Sequence, residues 1–255
     1  MRAPDELRSL VEGYLLSLDL SDELGDLQDS MRYALSGGGK RIRPVLCLAT
    51  AEAIGCPPER ALPAAAALEL VHSFSLVHDD LPALDDDAER RGRPSTHIQW
   101  GEAVAILAGD ALFGEAVRLA LSYPSPAVAR ELITATQGMI GGQYLDIKGS
   151  GDLTELHRLK TGRLFTAAIG LALEVAEVPT SAQAPWRAFA EDLGLLFQLV
   201  DDLLDRDGYV LVHGVEETRH LADEAAARAQ AKLATIDADT SVLQEIVASL
   251  VARTS

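Results

Sequence analysis

The stretch VHDDLPALDDDAERRGR, Val77 to Arg93, sets five aspartates within nine residues (Asp79, Asp80, Asp85, Asp86 and Asp87) and follows them with Arg90, Arg91 and Arg93. It closes an Ala-rich apolar run, residues 59–80, that reads as a long helix. Carboxylates at a helix C-terminus face the negative end of the macrodipole, which is unfavourable without compensation. Hard oxygen ligands suit Mg2+, and a divalent cation is the compensation this pattern points to. His72 and Asp79 are seven residues apart, two helical turns, and so share a face. Asp79 and Asp85, six apart, would diverge on a straight helix. Pro82 removes the amide hydrogen that would bond the His78 carbonyl, so the helix should bend or end there and bring Asp85 back towards Asp79.

A second acidic run, FQLVDDLLD from Phe197 to Asp205, ends another apolar segment. Asp201 and Asp205 stand at i and i+4, on one helix face, with Gln198 a turn upstream. One such cluster is easily a solvated acidic surface; two, each ending an apolar helix, suggest a metal-bridged diphosphate site. SGGGKRIRP, Ser36 to Pro44, lacks the order of a P-loop, and reads either as a glycine helix stop with a solvated basic turn or as anion capture by Lys40 and Arg43. Arg90 and Arg91 either neutralise their aspartate neighbours or bind anions. Lys160-Thr161-Gly162 lies inside a helical pattern, where glycine costs roughly 1 kcal/mol relative to alanine and so calls for a packing or functional reason.

Ala and Leu dominate the 255 residues, hydrophobic content is 48% and aromatics only 5%. With little period-two alternation, this favours an all-α fold of ten or so helices, without an evident linker, as a single domain over residues 1–255. The segments read as helical are 7–18, 24–35, 44–54, 59–80, 101–121, 126–141, 154–176, 185–205, 215–236 and 241–252. A net charge of −17 argues against nucleic-acid binding. Two cysteines without ligand spacing argue against a disulfide framework or zinc site. No apolar stretch is free of charge over a membrane-spanning length, and the N-terminus does not read as a signal peptide, so a cytoplasmic protein without integral membrane association is expected.

GGGKRIRP, HSFSLVHDDLPALDDDAERRGRPSTH, AILAGDALF, KTG and FQLVDDLLD, in this order between Ser36 and Asp205, resemble the trans-isoprenyl diphosphate synthases (polyprenyl synthetases), in the bacterial short-chain form. The resemblance implies a helical bundle around a deep central cavity, usually a homodimer, joining allylic diphosphates to isopentenyl diphosphate. It implies three Mg2+ ions held by Asp79, Asp85 and Asp201, with Asp80, Asp202 and Asp205 supporting. Lys40, Arg43, His72 and Arg91 would grip isopentenyl diphosphate; Arg90 and Lys160 would bind the allylic diphosphate. Thr161 and Gln198 would face the allylic carbon chain. Phe74 and Ser75, five and four residues before Asp79, would set product length. Helical periodicity puts Ser75 on the Asp79 face and leaves Phe74 off it, so Phe74 enters by resemblance alone and is otherwise ordinary core. A bulky Phe74 points to a farnesyl product, with geranylgeranyl next.

The chain departs from the family after Asp205. A lysine- and glycine-rich loop is replaced by RDGYVLVHGVEETRHLADEA, with about a score of residues missing. That departure motivates a second reading, a low-activity or inactive homologue acting as a regulatory or heteromeric subunit. A terpene cyclase is disfavoured because Asp201-Asp202-Leu203-Leu204-Asp205 does not match the usual second metal motif of that class.

Overall fold

A computed structural model describes residues 1–149 and 152–254. The elements are α1 (Pro4–Leu16), α2 (Leu27–Ser36), α3 (Ile42–Ala53), α4 (Pro58–Asp79), a hairpin of β1 (Glu89–Arg90) and β2 (Arg93–Pro94), α5 (Thr96–Trp100) and α6 (Glu102–Ala120). They continue with α7 (Ala127–Ile147), α8 (Leu153–His157), a π turn (Arg158–Gly162), α9 (Arg163–Val175), α10 (Thr180–Asp205), α11 (Tyr209–His213), α12 (Val215–Leu233) and α13 (Ser241–Val251). The fold is all-α; among the described residues, strand is confined to the two-residue antiparallel hairpin.

Helix α4 is the axis of the bundle. Its alanines and leucines are strong helix formers, and the run Ala64 to Val71 is buried on every side. A helix that is apolar all round must be enclosed, and α4 is packed by α3, α6 and α9, with α10 lying against α9 and α12. The same composition makes α4 long and apolar enough to cross a membrane, and burial inside the bundle accounts for it. One apolar cluster runs from Leu7 of α1 to Leu250 of α13.

Several boundaries differ from the sequence expectation, each for a packing reason. Helix α7 continues through Gly141-Gly142 to Ile147 instead of ending at Gly141. A Cβ on Gly142 would lie 2.2 Å from the backbone nitrogen of Lys160, so glycine here lets α7 press directly against the π turn. The segment expected as one helix over 154–176 is interrupted by that turn, a rare geometry associated with functional sites. Gly162 faces Gly194 of α10, where an added Cβ would come within 3.2 Å of the Gly162 Cα; the close approach calls for glycine at 194, whereas a Cβ on Gly162 itself would meet only the His157 carbonyl oxygen, at 3.5 Å. Helix α10 begins at Thr180 and encloses Pro185. The short helices α5 and α11 carry too little periodicity to register in the sequence.

Candidate active site

The first acidic motif hangs from the end of α4. The helix stops at Asp79, and the Leu81 amide donates to the His78 carbonyl at 3.1 Å, the group that Pro82 leaves without its usual donor. The chain then doubles back: the Asp85 amide donates to the Asp79 carbonyl at 2.8 Å, and Asp86 takes a left-handed φ of 53°. Asp85 therefore returns to Asp79, as Pro82 led us to expect. Burial pushes the Asp79 carboxyl up to about 6, Lys160 opposing and Asp85 adding to the rise.

Asp79 opens onto a cavity of about 530 Å³ between α4, α7 and the π turn. Phe74, Ser75, Leu84, Met139, Ile140, Leu164 and Thr161 line it, with Lys160 at the edge. The wide π turn puts Lys160 and Thr161 on this wall together; Lys160 Nζ donates to Asp146 Oδ2 at 2.5 Å. Phe74 reaches the cavity although ideal periodicity turns it away from Asp79, and it is 9% exposed. Ser75 donates its hydroxyl to the His72 carbonyl at 2.9 Å, leaving a small wall beside the ring of Phe74. His78 seats its imidazole against α6, with Nε2 at 3.0 Å from the Ile106 carbonyl. Only glycine at 109 admits it, since a Cβ there would lie 2.1 Å from Nε2.

The second motif borders a neighbouring cavity of about 560 Å³, lined by Lys40, Arg43, His72, Arg91, Asp201 and Arg253 among others. Arg43, His72 and Leu76 belong to both cavities and form the partition between them. Arg43 lies under the Phe165 ring at 4.8 Å from its centroid, with its Nε buried and unpartnered. Burial lowers the pKa values of Arg43 and Lys40, and Arg253 lowers that of Lys40 further. Burial, followed by Arg43 and Arg91, holds His72 well below its usual range, so its ring is neutral. A cavity whose cations repel one another is matched to an anion. Asp201 has its carboxyl raised by burial, and Arg253, which reaches it at 3.4 Å, pulls it down again. Asp205, one turn on, is exposed.

Four residues carry contacts different from those expected of them. Asp80 is 3% exposed and receives Arg90, whose Nε donates at 2.8 Å, so this pair braces the loop. Arg90 also bonds Asp87 at 3.1 Å. Asp202 is buried, accepting the Gln198 amide at 2.6 Å and the Tyr209 backbone amide at 2.7 Å, and so anchors the start of α11. Gln198 accordingly turns into a different pocket, of about 300 Å³, and does not line the apolar cavity. Arg41, next to Lys40 in the basic turn, is engaged with buried Glu69 at 2.6 Å.

Sequence reasoning missed Gln143 and Arg253. Gln143 lines the apolar cavity with a buried Oε1 that has no partner, the kind of oxygen dipole expected of Gln198. Nothing in its local pattern singles it out. Arg253 follows the last helix, and only tertiary contact brings it to Asp201.

The raised Asp79 carboxyl predicts a pH dependence. Its folded pKa of about 6 lies above the ordinary 3.8, so its contribution to stability is complete below about 3.8 and is lost as pH rises through about 6. In the metal-free chain, Asp79→Asn should raise the Tm more at alkaline pH than at acidic pH. Equal shifts in melts at both ends of the range would argue against a desolvated carboxylate.

The fold is the all-α fold of the isoprenoid synthases, and a crystal structure of an FPP/GFPP synthase from Zymomonas mobilis superposes with a TM-score of 0.88, 32% identity and 97% of each chain covered. The chain belongs to the polyprenyl synthetase family, whose model matches residues 25–214. It is 42% identical over 196 residues to the geranylgeranyl diphosphate synthase of Cyanophora paradoxa, covering 70% of this chain and 65% of that one. It is 38% identical over 211 residues to the farnesyl diphosphate synthase of Bacillus subtilis (strain 168), covering 76% and 70% respectively. The chain thus spans 65% and 70% of the length of these two relatives.

Proposed function

We infer that the chain is a short-chain trans-prenyltransferase, condensing isopentenyl diphosphate with an allylic diphosphate (dimethylallyl, geranyl or farnesyl) to yield farnesyl or geranylgeranyl diphosphate. The observation that carries this reading is the pair of adjoining cavities, one apolar with Asp79 at its rim and one cationic with Asp201 at its rim, sharing the wall of Arg43, His72 and Leu76. The apolar cavity suits the allylic chain and, once closed over it, would exclude the water that would quench a carbocation. Lys40, Arg43 and Arg91 suit the diphosphate of the second substrate, and neutral His72 donates a hydrogen bond without adding charge. Lys160, on the wall of the apolar cavity, and Arg90, on the wall of the cationic one, would bind the allylic diphosphate between them. Thr161 and Gln143 line that cavity, and an oxygen dipole from either, turned towards the allylic carbon, would stabilise the developing cation.

The carboxylates fit Mg2+. Among the described residues no three His, Cys, Asp or Glu side chains converge on one point. Mg2+ commonly takes one or two carboxylates and completes its shell with water and substrate phosphate. Asp79, Asp85 and Asp201 would hold it, with Asp205 one turn from Asp201; Asp80 and Asp202 support the loops behind them. When bound, Mg2+ neutralises the diphosphate as the allylic C–O bond breaks.

The same reading includes one domain, supported by the single apolar cluster, and a homodimer. Ile133, Ile140, Tyr144 and Ile147 are exposed on α7, and Ile106 and Leu107 on α6. The last three of the α7 residues repeat at i, i+4 and i+7, and a second copy laid on that face would close the cavity they line. A cytoplasmic location accords with Cys47 and Cys56 remaining free and buried.

Incubation of the purified chain with labelled isopentenyl diphosphate and each of the three starters tests the function. The expected result is Mg2+-dependent elongation abolished by chelation. One observation favours the subunit reading: only three residues, Arg206 to Gly208, join α10 to α11, and none is a lysine. Absence of product from the chain alone, with activity restored by a second subunit, would decide for that alternative. Phe74→Ala should lengthen the main product, and an unchanged product chromatogram would count against Phe74 as the floor.

A further inference from the structure

We propose that Phe113 of α6, which lies outside both acidic motifs, is a positioning residue for product length, acting through Phe74. The proposal rests on the prenyltransferase reading. Two positions one turn apart on α4, Phe74 and His78, meet two positions one turn apart on α6, Phe113 and Gly109. His78 fills the notch that Gly109 leaves and is tied to the Ile106 carbonyl. The Phe74 ring stands 5.6 Å from the His78 ring, edge to face, and 5.4 Å from the Phe113 ring, tilted by 52°. Phe74 is thus held between a histidine tied to the next helix and an aromatic ring on that helix. Phe113 is only partly buried and does not itself line the apolar cavity.

The consequence is geometric. Side chains occupy discrete rotamers, and the Phe74 ring can turn from the cavity into the seam between α4 and α6, where Phe113 meets it. Phe113 fills that seam. Without its ring, the Phe74 side chain gains a second orientation and the cavity deepens by the space the ring vacates. Product length is therefore set by an aromatic pair, of which only one member touches substrate.

The test uses the full chain with Mg2+, labelled isopentenyl diphosphate and a geranyl starter, with products dephosphorylated and separated by length. Phe113→Ala should shift the main product upwards by one isoprene unit or more, while Phe113→Leu, which still fills the seam, keeps the parental length. A general loss of packing lowers turnover without shifting length, so the product distribution distinguishes positioning from a structural role. If Phe113→Ala is insoluble, Phe113→Val serves, with the same shift expected. Unchanged product length in an active Phe113→Ala or Phe113→Val enzyme overturns the proposal alone. Absence of prenyl product from every form, the unsubstituted chain included, overturns the functional reading and this proposal with it.

Discussion

Asp201→Asn is expected to lower kcat by about 10²- to 10³-fold, the loss typical of removing one electrostatic contact to a developing charge, while leaving thermal stability unchanged or raised. Burial disfavours the ionised Asp201 carboxyl by more than Arg253, Arg43 and Lys40 offset, so its charge is a net cost to the fold in the absence of ligand. The adjacent residue gives the control. Asp202 accepts from Gln198 and from the Tyr209 amide, and Asp202→Ala leaves both donors short of a partner. That variant should lose about 1–3 kcal/mol of stability for each buried group left unsatisfied. Two neighbouring aspartates are thus predicted to fail in opposite ways. Steady-state kinetics with a denaturation midpoint on each variant would check this; an active Asp201→Asn would remove the second motif from the chemistry.

Gly142→Ala is expected to be among the most damaging single-methyl changes in the chain. The new Cβ would lie 2.2 Å from the Lys160 nitrogen and 2.6 Å from its Cα, backbone atoms that cannot rotate away. Overpacking of a closed interface costs typically about 1–3 kcal/mol, and relief requires α7 to separate from the π turn. That movement carries Lys160 and Thr161 off the cavity wall, so turnover should fall more steeply than the Tm. Gly141→Ala, with nothing within 4 Å of its added Cβ, should leave both unchanged. A fully active Gly142→Ala would mean that the close approach does not position Lys160.

Much of the site was legible because it is written in local patterns. Pro82 between Asp79 and Asp85 predicts the turn that brings the second aspartate back, and the Asp85 amide on the Asp79 carbonyl realises it at 2.8 Å. Asp201 and Asp205 required no more than helical spacing. Phe74 was harder: side chains lean and helices cross, so a residue off the ideal face still enters a cavity bounded by a second helix. The partners of Gln198 and Asp202 were not legible, because neither composition nor spacing tells which side of α10 faces α11. Gln143 was passed over because an unpartnered buried oxygen is a property of what surrounds it.

By itself, the sequence determined the helical class, the two acidic helix ends and the cations beside them, since these depend on backbone periodicity and on residues near one another along the chain. Only the tertiary structure decided which carboxylates face a cavity and which anchor a loop, that Arg253 reaches Asp201, and that Phe74 is backed by Phe113. Those relations join residues far apart in sequence, and they are fixed by how closely helices can approach, which a missing Cβ at Gly109 or Gly142 sets to within an ångström or two.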